Sequence, residues 1–366
     1  MQNDNMLIEV RNLKTYFELI EGTVRAVDGT NFAIRRGQTV GIVGESGCGK
    51  SVTARSILRI VPDPGRIVQG EILYYRRLRG MDGSETYERI PLTALEADGR
   101  EMRGIRGSEI AMVFQEPMTS LSPVHTIGNQ IEEVLILHQK LSKKEAEQRA
   151  ADTLARVGMP QPVETLSHYP HELSGGMRQR AMIAMALSCG PSLLIADEPT
   201  TALDVTTQAQ IIELMKELQA DLGMAIMYIT HDLGVIAEMT NQVVVMYMGR
   251  DVETADVVNL FHDPLHPYTR ALLRSIPKID AESRERLDSI VGVVPDPYSV
   301  PRGCPFHPRC PSFIEGKCDR EDPPIYRVEE RKVRCHLYEG QATWSPGEAV
   351  EQLSASVRAR QRESEA

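Results

Sequence analysis

The stretch from Thr39 to Ser51, TVGIVGESGCGKS, decides the fold class. TVGIVG reads as a short buried strand, and after the loop Ala54, Ile57, Leu58 and Val61 recur at helical spacing. Between them GESGCGKS fits the phosphate-loop pattern G-x-x-x-x-G-K-[ST]. Glycines let backbone N–H groups turn inward on phosphate oxygens, and the following helix aims its positive end at them. Lys50 is placed to reach terminal phosphates and Ser51 to ligate Mg²⁺ through its hydroxyl. Gly44, Glu45, Ser46, Gly47, Cys48, Gly49, Lys50 and Ser51 are therefore the expected phosphate-site residues. Cys48 fills a variable position and reads as a small packing residue. A glycine turn without a ligand would not need the strand and helix that flank this one.

Working outward, SLLIADEP is an apolar strand ending in Asp197, a carboxylate at the strand's end suited to Mg²⁺. Glu198, next along, is placed to act as a general base on water. A helix bearing Ile211, Met215, Leu218 and Leu222 and closed by Gly223 follows, then a further apolar strand, MAIMYIT. Continuous apolar strands alternating with helices imply an α/β fold with a parallel sheet covered on both faces. Residues from about 120 to 190 read as mostly helical, with SKKEAEQRAADTLARVG an amphipathic, solvent-facing helix. The sequence turns Pro-, Arg- and Cys-rich after about residue 260, where a domain boundary is expected.

The 366 residues carry 42% hydrophobic and 25% charged side chains, ordinary values for a globular protein. A formal charge of −10 argues against nucleic acid as the main partner. No signal peptide is evident, and no apolar run approaches the roughly 18 to 20 residues of a membrane span.

LSGGMRQR, Leu173 to Arg180, adds a Ser-Gly-Gly turn at a helix start, a second anion-binding end. It resembles the signature motif of ABC ATPases. That resemblance implies that Ser174, Gly175, Gly176 and Gln179 contact ATP held by the opposite subunit. Gln115, in VFQEP, looks like the Q-loop glutamine that touches Mg²⁺ and water. Ala202, Leu203 and Asp204 look like the D-loop, and His231, after MAIMYIT, like the switch histidine. Phe17, with Tyr16 as the alternative, matches the aromatic residue that stacks on adenine. The implied catalytic set is Glu198, His231 and Lys50, with Mg²⁺ on Ser51, Gln115 and Asp197. The implied architecture is a P-loop ABC ATPase domain over 1–260, with an antiparallel β subdomain and a helical subdomain at about 116–190.

FQEPMTSLSPVHTIGNQ and HPYTRALLRSIP, the latter from His266 to Pro277, resemble the oligopeptide/dipeptide/nickel importer ATPases. The C-terminal region expected over 261–340 holds Cys304, Cys310, Cys318 and Cys335 in the spacing C-x5-C-x7-C-x16-C. Four thiolates suit tetrahedral Zn²⁺ or an iron–sulfur cluster, and the spacing lacks the short knuckles of structural zinc. The resemblance favours a [4Fe–4S] cluster, with zinc the alternative and His307 and His336 bystanders. Residues 341–366 read as a polar, mobile tail.

The importer resemblance implies docking at the cytoplasmic face of the cell membrane on two membrane-spanning permease subunits. It also implies a second related ATPase chain and an extracytoplasmic substrate-binding protein. Di- and oligopeptides are the expected cargo, with nickel, glutathione-like compounds and oligosaccharides as alternatives. A non-catalytic regulatory or scaffold subunit is the rival of another class. A soluble ABC protein of translation or DNA repair would carry two cassettes or a long coiled coil, and neither is present in the sequence.

Overall fold

A computed structural model describes residues 5–80, 83–115, 120–201, 203–275 and 290–345. The chain forms two compact units. One comprises Met1–Arg35, Gly41–Ala94 and His231–Ala366, and the other Arg36–Val40 and Leu95–Thr230.

The first unit holds a four-stranded antiparallel sheet in the order Gly22–Arg35, Met6–Leu19, Gly65–Arg79, Glu85–Pro91. Met6, Leu7, Ile8 and Val10 are all buried, so this end of the Met6–Leu19 strand is covered on both faces, while its far end, Glu18 and Leu19, is exposed. Later in the unit Gln242–Tyr247 pairs antiparallel with Arg250–Asp256. Met248 and Gly249 connect them at φ 45° and 76°, the two positive values that a tight hairpin of this hand demands. Arg250–Asp256 then pairs with Arg331–Val333, which pairs with Tyr326–Val328. The cysteine-rich region is thus laddered onto this hairpin through backbone hydrogen bonds. Ala342–Thr343 adds a last short strand; the rest of the expected tail, from residue 346, lies outside the described residues.

In the same unit the helix Lys50–Ile57 follows the glycine loop, with Ala54, Ile57 and Leu58 buried as their spacing indicates. Val61 falls beyond the helix and is half-buried. The HPYT segment forms the helix Pro267–Arg274, with Pro267 at its first position and His266 Nδ1 accepting the Tyr268 N–H at 3.0 Å.

The second unit is built on three parallel strands, Ile110–Val113, Leu193–Asp197 and Ala225–Ile229, every residue of which is buried. Helix Ile127–Gln139 packs on Lys143–Arg156, and that helix on Gly175–Leu187. Ser142 and Glu145 close a capping box at the start of the second helix, and Ala146, Ala150 and Leu154 form its buried stripe. The Val205–Leu222 helix ends, as expected, at Gly223 in the left-handed region, φ 62°.

The parallel pairing expected from the apolar strands holds in the second unit. The hairpin of the first unit adds an antiparallel pair beyond the strands read in the sequence. A two-residue turn leaves no length for a crossover, so Gln242–Tyr247 and Arg250–Asp256 can only run antiparallel.

Candidate functional site

Within the first unit the loop Gly44–Ser51 is shaped by contacts that exclude side chains. A β-carbon on Gly44, at φ 150°, would lie 2.2 Å from the Met246 carbonyl oxygen. One on Gly49, at φ 100°, would lie 2.1 Å from the Ala26 carbonyl oxygen. Only glycine tolerates either position. Lys50 is buried and its Nζ donates to the carbonyl oxygens of Gly44 (2.8 Å) and Glu45 (3.2 Å). The ammonium is therefore held at the loop by weak neutral acceptors, which a phosphate oxygen can replace with a charge-assisted bond. Cys48 is buried, and burial pushes its thiol up in pKa, as befits a packing residue. Ser51 is half-buried at the start of the helix.

Neither aromatic expected at the base stands idle. Phe17 is half-buried, with its ring edge so close over Gly65 that a β-carbon there would lie 2.5 Å from it. The Tyr16 hydroxyl donates to Asp28 at 2.5 Å, and the Arg25 guanidinium lies 5.8 Å from its ring centroid. His231 is exposed, next to Asp232, whose carboxylate caps the helix Leu233–Met239.

In the second unit Asp197 is buried at the end of its strand and Glu198 half-buried just beyond. Glu198 adopts φ 47°, a left-handed conformation that costs a non-glycine residue roughly 1–3 kcal/mol. Its N–H donates to the Ile229 carbonyl at 2.9 Å, which fixes the turn. Oε2 accepts from Gln115 Nε2 at 2.9 Å and from Thr201 Oγ1 at 3.0 Å. Gln115 and Glu198, separated by 83 residues, are thus brought into contact in the fold. Thr201 joins them without having been singled out in the sequence. Glu116–Thr119 and Ala202 lie outside the described residues.

Ser174 is exposed and caps the helix Gly175–Leu187 through a bond from Met177 N–H, 3.3 Å. Gly175 is exposed and Gly176 half-buried. Gln179 differs. It is 1% exposed, so its side chain is shut away from any nucleotide on another subunit. Asp204 caps Val205–Leu222, accepting from Thr207 N–H at 2.9 Å and Thr207 Oγ1 at 2.7 Å. Those bonds to the charged form hold its carboxyl below the usual range.

The oxygen donors Ser51 and Asp197 are of the hard type that Mg²⁺ takes. The cysteines give a different result. Cys304, Cys318 and Cys335 are buried and Cys310 half-buried, all as free thiols. Cys304 N–H donates to the Cys318 carbonyl at 2.8 Å. Burial pushes the Cys304 thiol up to about 11 and the Cys335 thiol to about 12, and the neighbouring cysteines add to the effect. Yet among the described residues no three His, Cys, Asp or Glu side chains gather as a metal-holding group. The cluster or zinc site expected from the spacing is therefore not shown here. His307 and His336 are turned to backbone carbonyls, Nδ1 to Cys304 O at 3.0 Å and Nε2 to Glu321 O at 2.9 Å.

Residues 27–201 match the family described as ABC transporter, and residues 252–318 the family described as oligopeptide/dipeptide transporter, C-terminal region. The chain is 52% identical to the oligopeptide transport ATP-binding protein AppD of Bacillus subtilis, over 91% of this chain and 97% of that one. It belongs to the oligopeptide/dipeptide family of ABC transporter ATP-binding subunits. The dipeptide transport ATP-binding protein DppD of Escherichia coli is 46% identical over 90% of this chain and 96% of its own. Among solved structures, the ABC cassette MJ0796 in a dimeric post-hydrolysis state with ADP and Pi superposes with a TM-score of 0.57. It is 27% identical and covers 68% of this chain and 98% of its own. Membership makes the chain an ATPase, and its glycine loop and acidic strand end are the parts that such an enzyme needs. No helix among the described residues is long and apolar enough to cross a membrane.

Proposed function

We propose that this chain hydrolyses ATP to drive import of di- and oligopeptides. Its place is the cytoplasmic face of the cell membrane, on two membrane-spanning permease subunits, with a second related ATPase chain completing the pair. An extracytoplasmic substrate-binding protein delivers the cargo. The observation that carries this reading is that a peptide-transporter C-terminal region, residues 252–318, accompanies the cassette in one chain. The test is uptake of labelled peptides by cells or vesicles bearing the assembled complex. Uptake lost with Glu198→Gln supports the reading. Transport of nickel, a glutathione-like compound or an oligosaccharide in place of peptides would redirect it.

In the mechanism, backbone N–H groups of Gly44–Gly49 and Lys50 hold the β- and γ-phosphates, and Phe17 or Tyr16 packs on the base. Ser51, Asp197 and Gln115 would hold Mg²⁺, which would supply charge neutralisation on the phosphate oxygens. Glu198 accepts a proton from the attacking water, oriented by Gln115. The bond from the γ-phosphorus to its bridging oxygen breaks, releasing ADP and phosphate. His231 and the Ser174, Gly175 and Gly176 turn of the opposite subunit stabilise the transferred group, which is where catalysis of this reaction is mostly achieved. Asp204 orders the helix entry beside the acidic turn.

A [4Fe–4S] cluster on Cys304, Cys310, Cys318 and Cys335 is the finer reading of the C-terminal region. What supports it is that four of the six cysteines fall within 32 residues of the sequence, Cys304 to Cys335. Anaerobic purification with iron, sulfide and zinc analysis tests it. About four irons and four sulfides, lost with Cys335→Ser, would support a cluster, and one zinc would replace it with a structural ion.

A further inference from the structure

Glu45, the second residue of the glycine loop, is gripped from two sides by the C-terminal part of the first unit. Arg309 donates from Nη1 to Glu45 Oε2 at 2.7 Å and from Nη2 to Oε1 at 3.1 Å, a two-pronged pair. The Arg309 side chain is only 4% exposed. Its Nε donates to the Val291 carbonyl at 3.2 Å and its Nη1 to the Tyr247 hydroxyl at 3.4 Å. From the other side the Tyr268 hydroxyl accepts the Glu45 N–H at 2.9 Å. Tyr268 is buried and rests on Tyr247 and Phe306, with ring centroids at 4.7 and 5.4 Å. Phe306 and Arg309 flank the same short turn between Cys304 and Cys310, so one segment supplies both the guanidinium and its aromatic footing.

We propose that Arg309 is a positioning residue for the nucleotide site, acting through Glu45. The proposal rests on the reading of Gly44–Ser51 as the phosphate-binding loop. Two physical effects follow from the geometry. First, the guanidinium cancels a carboxylate that would otherwise stand beside the triphosphate's own negative charge. Second, the Glu45 carbonyl is one of the two carbonyl acceptors of Lys50 Nζ, and Arg309 and Tyr268 fix the side chain and N–H of that same residue. The loop is thereby held in one conformation before nucleotide arrives, which lowers the ordering cost of binding. The bonds come from residues 223 and 264 positions away in the chain.

The test is equilibrium titration of the purified full-length chain with a fluorescent ATP analogue, alongside thermal melting. Arg309→Ala is expected to raise Kd roughly tenfold, the scale of a charged hydrogen-bonded pair. Arg309→Lys, a point charge without the fork, should recover part of the loss. The double variant Arg309→Ala/Glu45→Gln should bind no more weakly than the weaker single variant, because both act on one pair. Lys50→Ala serves as the control and should lose binding. Wild-type Kd in Arg309→Ala while Lys50→Ala fails would overturn the inference and leave the phosphate-loop reading standing. Undiminished binding in Lys50→Ala would sink that reading instead. Additive losses in the double variant would also overturn the role through Glu45. Should Arg309→Ala not fold, Arg309→Gln decides alone, since its amide can still donate to Glu45 while the carboxylate's charge stands uncancelled, and an unchanged Kd would count against the proposal.

Discussion

The Gln115 side-chain amide donates to Oε2 of Glu198 at 2.9 Å, linking the segment after one parallel strand to the turn after its neighbour. A glutamine amide offers both a donor and an acceptor, so the same side chain that orients the carboxylate can turn its oxygen to water or Mg²⁺. Glu198 reaches this bond because its backbone occupies the left-handed region, a strained arrangement of the sort that collects at functional sites.

Replacing Glu198 with Gln keeps the shape and the bond from Thr201 Oγ1 but removes the proton acceptor. Phosphate release by the assembled complex should fall at least about a hundredfold, the low end of general-base effects. Binding of ATP should stay within about twofold. Full turnover by this variant would remove Glu198 from the catalytic set.

Two glycines of the same loop should respond differently. Gly49→Ala puts a methyl 2.1 Å from the Ala26 carbonyl oxygen and should abolish nucleotide binding and lower the melting temperature sharply. Gly47, at φ 79°, has nothing within 4 Å of an added β-carbon. Its change to Ala should cost only the conformational penalty, about 1 kcal/mol. Equal losses in the two, measured by urea unfolding, would contradict the packing argument.

Ser174 has a structural duty as the cap of Gly175–Leu187 and an expected functional one toward a second subunit's nucleotide. Ser174→Asp separates them. Aspartate caps a helix as well as serine does, so stability should change by less than about 0.5 kcal/mol. A carboxylate facing phosphate should nonetheless suppress ATP turnover of the complex by more than tenfold. Retained turnover with an intact melt would refute the second duty.

His266 is buried against Phe306, and burial, with Arg270 adding, drives its pKa down to about 3. The unfolded chain binds a proton there near pH 6.5, which the folded chain refuses. Between about pH 6.5 and 3 the unfolded state therefore holds more protons, and stability falls as pH falls, by up to about 1.4 kcal/mol per unit. His266→Asn keeps a capping side chain for Tyr268 N–H and should flatten this slope in urea unfolding at pH 4.5 to 7. An unchanged slope would assign the acid sensitivity to other groups.

Much of the site was legible in residue order. Glycine spacing with a following lysine specifies a phosphate loop because only those residue types meet its steric and charge demands. An apolar strand ending in two acids, a Ser-Gly-Gly helix start and a glutamine after a strand each carry their chemistry within a few residues. The capping box at Ser142 and the Gly223 stop are equally local. The four cysteines mark the limit of such reading: spacing names ligand types, but gathering them to metal distance depends on backbone geometry that spacing does not contain.

The sequence by itself determined the ATPase core, because its motifs are short-range solutions to short-range chemistry. Only the tertiary structure decided that Thr201 shares Glu198 with Gln115, that Gln179 is buried, and that the hairpin at Met248–Gly249 turns part of the strand set antiparallel. It alone joined Arg309 and Tyr268 to Glu45. Contacts between residues more than 200 positions apart are set by how strands pair and aromatic rings pack, and no local pattern in the chain encodes them.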